Sequence, residues 1–261
     1  TTDLGWLFSP SPSPAAIRQI DNDATLRQAL EHFANGAEFH RGDQTWRVFR
    51  EADIPSYSRL LAEQFANHCP PHKYLGMSAD ELASVLIPEL ELPTDFIKYS
   101  VEVRIGGILA GVMLSYSYAS RLQEPIFQSE NSLEVWSKYL QVLPALPLID
   151  PLEYALPDEH GKLPPGTVDA SKVLYLSMVA VDPSFSGRNL SYDLFHISTA
   201  LGYLRGLNLA TAICLNVRVS NFSKIGGIAL KPTLYKAIQL GDFKPFEYLE
   251  DGARFAFISL A

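Results

Sequence analysis

Residues 174–206 read LYLSMVAVDPSFSGRNLSYDLFHISTALGYLRG. The run that ends at Val181 is apolar almost throughout, which predicts a central strand covered on both faces. Asp182-Pro183 then predicts a turn, and a loop of small residues leads into an amphipathic helix predicted over 188–204. The free amides of such a loop and the helix dipole both favour a negatively charged ligand. The sequence therefore predicts an anion site between this strand and this helix.

The composition is that of an acidic protein with a large core. The chain has 261 residues, of which 47% are hydrophobic, enough for one large domain. Its net charge of -8 argues against nucleic acid or an anionic membrane as a partner. Cys69 and Cys214 suggest neither a disulfide framework nor a zinc site, so we expect a cytoplasmic protein without a metal. We also expect no membrane span and no signal peptide.

The elements around this stretch predict a mixed α/β layer. Asp53-Ile54-Pro55 is typical of a helix start, and we expect this helix to end near His68. Ser78 followed by acidic residues predicts the start of the next helix. Gly106-Gly107 predicts a hairpin. Strands are predicted over 45–50, 98–104, 108–118, 174–181, 211–219, 244–249 and 254–260, the last two as a terminal pair.

We expect two parts along the chain. Residues 1–44 are predicted to form an N-terminal extension with one helix, preceded by a Ser-Pro repeat that cannot be helical. Residues 45–261 are predicted to form a single α/β domain. Prolines break up the pattern over 121–172, which predicts an irregular insertion across one face of that domain.

From residue 45 onward, the order of elements resembles the GCN5-related N-acetyltransferases, the GNAT superfamily. The sequence from Val181 through Ser186-Gly187-Arg188-Asn189-Leu190-Ser191 is placed like the loop that binds the acyl-CoA pyrophosphate in that family, and Asn221 follows the next strand. Residues 68–82 (HCPPHKYLGMSADEL) are similar to the segment after the first helix in arylalkylamine-type members. The resemblance implies a GNAT-like α/β fold, with a mixed, mostly antiparallel central sheet flanked by helices.

The same resemblance implies acetyl-CoA as the acyl donor and a small-molecule amine as the acceptor. The family loop reads Gln/Arg-x-x-Gly-x-Gly/Ala, and its three anchor positions fall on Ser186, Asn189 and Ser191. Asparagine tolerates left-handed backbone better than most residues, so we expect Asn189 to stand in for a glycine. The implied cofactor-binding residues are Met178, Val179, Val181, Ser186, Gly187, Arg188, Asn189, Leu190, Ser191 and Asn221.

Three side chains are candidates for proton transfer. The family often uses a tyrosine after the strand that follows the loop, and Tyr235 is the tyrosine in that region; the alternative is a ring packed on an amphipathic helix. Ser177 lies on the central strand and would line a water chain to the amine, or simply pack in the sheet. His72 flanks a Pro-Pro corner and titrates near neutrality, although an ordinary surface loop would also hold it.

The resemblance thus implies an acyl-CoA-dependent N-acyltransferase in which a free amine attacks the thioester directly. Two alternatives stay open because none of the three loop anchors is the usual residue. One is a CoA-binding or regulatory module without catalysis, and the other is an acetyltransferase for a protein or peptide terminus. The sequence leaves the oligomeric state open, with a homodimer among the options.

Overall fold

Eight strands form one sheet in the computed structural model, which describes residues 3–8, 14–69, 76–84, 95–117, 170–214, 228–232 and 254–259. The strands are β1 (Phe39–Arg41), β2 (Gln44–Val48), β3 (Val101–Ile105), β4 (Ile108–Ser117), β5 (Val173–Val181), β6 (Leu209–Cys214), β7 (Ile228–Pro232) and β8 (Arg254–Ser259). Their order across the sheet is β1-β2-β3-β4-β5-β6-β8-β7. All neighbours pair antiparallel except β5 and β6, which are parallel.

Helices cover both faces of this sheet. They are α1 (Pro14–Arg18), α2 (Ala24–Ala34), α3 (Ile54–His68), α4 (described over 79–84) and α5 (Leu190–Leu204). The first two helices and α5 share a core with side chains such as Val101 and Leu174, whereas α3 and α4 pack with Val112 and Tyr175 on the opposite face. The predicted mixed, mostly antiparallel sheet flanked by helices is confirmed.

Local signals in the sequence explain several element boundaries. Gly106 and Gly107 have φ angles of +57° and +83°, the left-handed pair that a tight hairpin needs, and they join β3 to β4. Pro55 lies in the first turn of α3, where a missing N–H costs nothing. At α4, Glu81 N donates to Ser78 Oγ at 3.1 Å and Ser78 N donates to Glu81 Oε2 at 2.8 Å. This reciprocal capping box confirms the predicted helix start.

Strand pairing differs from the prediction at both edges of the sheet. The three-residue strand β1 and the strand β7 were not predicted. The last strand, β8, lies between β6 and β7, so its predicted pairing with residues 244–249 is wrong. A turn signal at 250–252 favoured a local hairpin, but the partners of β8 come from distant parts of the chain. Residues 244–249 and 121–169, most of the predicted insertion, lie outside the described residues.

The N-terminal residues pack into the main core. Leu4, Leu7 and Phe8 are buried in the same cluster as α5 and the sheet. The Phe8 ring centroid lies 5.4 Å from that of Phe39 and 5.0 Å from that of Trp46. Such aromatic pairs stabilise beyond the area that they bury. The predicted division after residue 44 stays a prediction; it falls within strand β2.

Candidate functional site

Strands β5 and β6 diverge, and we call the gap between their diverging parts the cleft. The two strands pair over Val173–Tyr175 and Leu209–Thr211, although β5 runs on to Val181 and β6 to Cys214. Beyond this short ladder, β6 pairs with β8 and β5 pairs with β4. Among the described residues, no strand pairs with the last six residues of β5 on the side away from β4, and we call this side the free edge. An extended ligand can pair with such a row of backbone groups.

Strand β5 contains a β-bulge at the start of this free edge. Leu114 of β4 pairs with Met178 and Ser115 pairs with Leu176, so Ser177 has no partner in the ladder. The extra residue changes the side-chain alternation: Leu176 and Val179 pack on the α5 face, whereas Met178 packs on the α3 face. Sequence reasoning missed the bulge because the apolar pattern of β5 is continuous and carries no glycine.

The strand ladder shows which backbone groups of β5 face the cleft. Asp182 N donates to Ala110 O at 2.9 Å, and hydrogen-bonded pairs alternate along an antiparallel ladder. Val179 and Val181 consequently direct both their N–H and C=O groups away from β4, towards the open edge. Met178 directs its backbone groups to β4 instead, so any ligand contact it makes would be through its side chain. The role of this strand in placing a ligand stays a prediction.

The loop after β5 forms a cradle of free amides, which we call the anion cradle (residues 187–191). Gly187 has φ +82° and Asn189 has φ +58°, both in the left-handed region. The amides of these five residues donate to no acceptor in the part of the chain that the structure describes. They precede or begin α5, where the helix dipole adds positive potential. Ser186 and Asn189 are exposed, Ser191 is half-buried, and Leu190 is anchored in the core.

Arg188 has a specific partner outside the loop. Its Nη1 and Nη2 atoms both donate to Asp43 Oδ2, at 2.9 and 3.0 Å, in the turn between β1 and β2. Two residues earlier, Arg41 Nη1 lies 3.4 Å from Asp193 Oδ2 in the first turn of α5. The β1–β2 hairpin thus contacts the anion cradle at Arg188 and the first turn of α5 at Asp193. The sequence offered no signal for this link, because 145 positions separate Asp43 from Arg188.

Ser177 is half-buried beside two tyrosines. Its Oγ lies 3.2 Å from the hydroxyl of Tyr116 on β4, and either oxygen can donate. The rings of Tyr116 and Tyr175 have centroids 5.5 Å apart. This polar pair lies at the bulge, at the near end of the cleft, and can carry a proton between a ligand and water. The other candidates for proton transfer, Tyr235 and His72, lie outside the described residues, as does Asn221.

Two buried titratable groups lie further along α5. Burial raises the pKa of the Asp193 carboxyl from 3.8 to about 6, while Arg41 lowers it in part. Burial lowers the pKa of the His196 imidazole from 6.5 to about 4, and its Nε2 has no hydrogen-bond partner among the described residues. Both shifts favour the neutral form, as expected for groups removed from water.

The described part of the chain contains no helix that is long and apolar enough to cross a bilayer. No group of three or more His, Cys, Asp or Glu side chains there is arranged to hold a metal ion.

The structure has the fold of known N-acetyltransferases. It is similar to the C-terminal condensation domain of Ebony in complex with beta-alanyl-dopamine, with a TM-score of 0.58 and 12% identity over 82% of this chain and 96% of that one. It is also similar to arylalkylamine N-acetyltransferase 2 from Aedes aegypti, with a TM-score of 0.56 and 15% identity over 84% and 100% of the two chains.

A mosquito arylalkylamine N-acetyltransferase like 5b gives a TM-score of 0.56 and 14% identity, over 83% of this chain and 99% of that one. No protein-family model and no curated protein matches the sequence. The likeness therefore rests on structure, and what it establishes is the fold. The chain has the GNAT fold that the sequence predicted.

Proposed function

We propose that this protein is an acyl-CoA-dependent N-acyltransferase that transfers an acetyl group to a small amine. One observation carries the proposal. The free edge of β5 is followed, after the short turn Pro183–Phe185, by the anion cradle, so this stretch offers backbone partners for an amide-bearing chain and five amides for a phosphate group. Acetyl-CoA combines these two features, since its pantetheine arm has amides and its other end has a pyrophosphate.

The residues of the site fit such a donor in charge and shape. Asn189 has a left-handed backbone and is followed by helical Leu190, which is the alternation that forms anion-binding nests. In the described part of the chain, no atom beyond Gly187 and its two neighbours lies within 4 Å of the position that a Cβ on Gly187 would occupy, so a phosphate has room to approach. Val179 and Val181 would pair with the pantetheine amides along the free edge.

The chemistry needs few protein groups. The neutral amine nitrogen attacks the thioester carbonyl carbon, the C–S bond breaks, and the nitrogen loses one proton while the sulfur gains one. The cleft-facing N–H of Val179 is suited to stabilise the carbonyl oxygen as it becomes negative. Ser177 and Tyr116 would pass the amine proton to water, and Tyr235 remains the proposed acid for the thiolate.

Calorimetry with CoA and acetyl-CoA tests the donor site, with Asn189 as the probe. Asn189→Gly keeps the left-handed backbone accessible, so we expect it to bind CoA within about twofold of the wild type. Asn189→Val disfavours that backbone because its side chain is β-branched, and we expect at least about a tenfold loss of affinity. If the wild-type protein binds neither ligand at millimolar concentration, the proposal fails.

Turnover experiments decide the acceptor. The similar proteins are described as arylalkylamine acetyltransferases and as a condensation domain holding beta-alanyl-dopamine, so the panel begins with dopamine and other arylalkylamines. It pairs them with acetyl-CoA and with a beta-alanyl thioester, and adds aliphatic amines and a peptide N-terminus. Binding of CoA without turnover of any amine would instead favour a CoA-binding module.

A further inference from the structure

A network of three buried serines connects α5 to β4, the strand that pairs with the bulged strand β5. Ser198 Oγ on α5 lies 2.6 Å from Tyr99 O and 2.7 Å from Ser115 Oγ on β4. Ser115 N donates to Ser100 Oγ at 2.9 Å, and Ser100 Oγ donates to Ser115 O at 3.1 Å. All three serines are fully buried.

Two hydrogen bonds of this network share one donor. The Ser198 hydroxyl is placed to donate to Tyr99 O and to Ser115 Oγ, and its single proton is shared between these two acceptors. Ser100 Oγ accepts from the backbone N–H of Ser115 and donates its own proton to the backbone carbonyl of Ser115. A buried network of this kind has one preferred geometry.

The network meets β4 at the bulge. Ser115 pairs with Leu176, at the point where the ladder resumes after the unpaired Ser177. The hydroxyl of the next residue, Tyr116, forms a hydrogen bond with the Ser177 hydroxyl. Ser100 lies just before β3, and its side chain takes the place of a strand partner for Ser115. A displacement of Ser115 would therefore move the bulge and the tyrosine beside it.

The same network sets the position of α5 along its axis. Ser198 lies nine residues after Asn189, which corresponds to about 13 Å along the helix. Besides the contact of Arg41 on β1 with Asp193 at 3.4 Å, α5 packs on the sheet through apolar side chains such as Leu194 and Ile197, and apolar packing is not directional. Hydrogen bonds require correct lengths and angles, so they favour one position of the helix over its neighbours.

We propose that Ser198, Ser115 and Ser100 are positioning residues that hold the anion cradle at a set distance from the β5 bulge. Under the proposed function, on which this consequence rests, the cradle holds the phosphate end of the donor and the bulge region holds the reacting end. The network would then align the thioester with the proton-transfer pair without touching either.

Hydrogen exchange of the ligand-free protein tests the positioning role independently of any activity. We expect Ser198→Ala and Ser115→Ala to speed exchange at the amides of Met178 and Ala180 by about fivefold or more. Thr199→Val is the matched control, because Thr199 is equally buried but its hydroxyl bonds only Phe195 O within α5, at 2.7 Å. Equal exchange at these amides in the control and the two alanine variants would overturn the proposal.

Ser115→Ala is the milder of the two changes, since the bond from Ser198 to Tyr99 remains, and it keeps the test available if Ser198→Ala does not fold. Ser198→Thr retains the hydroxyl, and we expect it to restore slow exchange.

Kinetics test the catalytic consequence. We expect the alanine variants to lose about tenfold in kcat while the CoA dissociation constant stays within about twofold, and Ser198→Thr to recover the rate. A parallel loss of kcat in Thr199→Val would contradict this. A wild-type protein that neither binds CoA nor acylates any amine would refute the proposed function, whereas the exchange experiment would still decide the positioning role.

Discussion

The hydroxyl of Tyr116 on β4 lies 3.2 Å from Oγ of Ser177, the residue that bulges out of the ladder on β5. If this pair conducts the amine proton, Tyr116→Phe breaks the path and leaves donor binding intact. We expect kcat to fall about tenfold, equivalent to about 1.4 kcal/mol, with an unchanged CoA dissociation constant. Steady-state kinetics beside calorimetry measure both quantities.

The control for this change is Tyr203→Phe, which removes a hydroxyl bonded to Asp21 near the far end of α5. We expect it to leave kcat unchanged. A Tyr116→Phe enzyme with wild-type kcat would remove the pair from the mechanism.

Asp43 accepts two hydrogen bonds from the Arg188 guanidinium, so under the proposed function it would compete with the phosphates of CoA for this side chain. Asp43→Asn frees the guanidinium beside the anion cradle, so we expect CoA to bind about threefold tighter, and Arg188→Gln to bind it about threefold more weakly. The effects are small because both side chains are exposed, and they should shrink at high salt. Calorimetry at low and high salt measures them. Weaker binding by Asp43→Asn would show that the contact supports the cradle and does not compete.

The two buried groups of α5 predict opposite contributions to the dependence of stability on pH. Asp193 has a raised pKa, so its ionisation destabilises the folded protein above pH 6, and this cost disappears as the pH falls towards 3.8. His196 has a lowered pKa, so the unfolded chain takes up a proton below pH 6.5 and the fold loses stability down to about pH 4. In the wild type the two contributions largely cancel over this range.

Single substitutions should expose each contribution. In Asp193→Asn, the His196 contribution stands alone, and we expect the free energy of unfolding to fall by up to about 1.4 kcal/mol per pH unit between pH 6 and 4. In His196→Leu, we expect the free energy of unfolding to rise as the pH falls from 6 to 4. Urea unfolding at several pH values measures both slopes. Identical slopes in the wild type and both variants would refute the assignment.

Gly111 allows α5 to approach the sheet closely. A Cβ at this position would lie 3.0 Å from Leu194 Cδ1, 3.3 Å from Ala180 O and 3.3 Å from Val103 Cγ1. Because one neighbour is backbone, we expect Gly111→Ala to cost about 1–3 kcal/mol in the free energy of unfolding. Ile108→Ala on the same strand, where the side chain is 61% exposed, should cost far less. Equal losses in denaturant unfolding would argue against close packing at Gly111.

Elements that depend on neighbouring residues were predicted well. The hairpin at Gly106-Gly107, the start of α3 at Pro55 and the capping box at Ser78 each need only a short sequence to form. Strand β5 was also predicted, because its apolar run is uninterrupted. The pairing of β8 was missed because it depends on which distant segments meet. Strand β1 pairs locally with β2, and it was missed because it is only three residues long.

The sequence by itself determined the strand–loop–helix unit around residues 174–206, including the asparagine that adopts the left-handed backbone. These features follow from local periodicity, turn chemistry and the conformational preferences of single residues. Only the tertiary structure decided that β6 leaves β5 after three pairs, that Ser177 bulges, and that Arg188 contacts Asp43. Each of these depends on contacts between segments far apart in the chain, which the packing of the whole core selects.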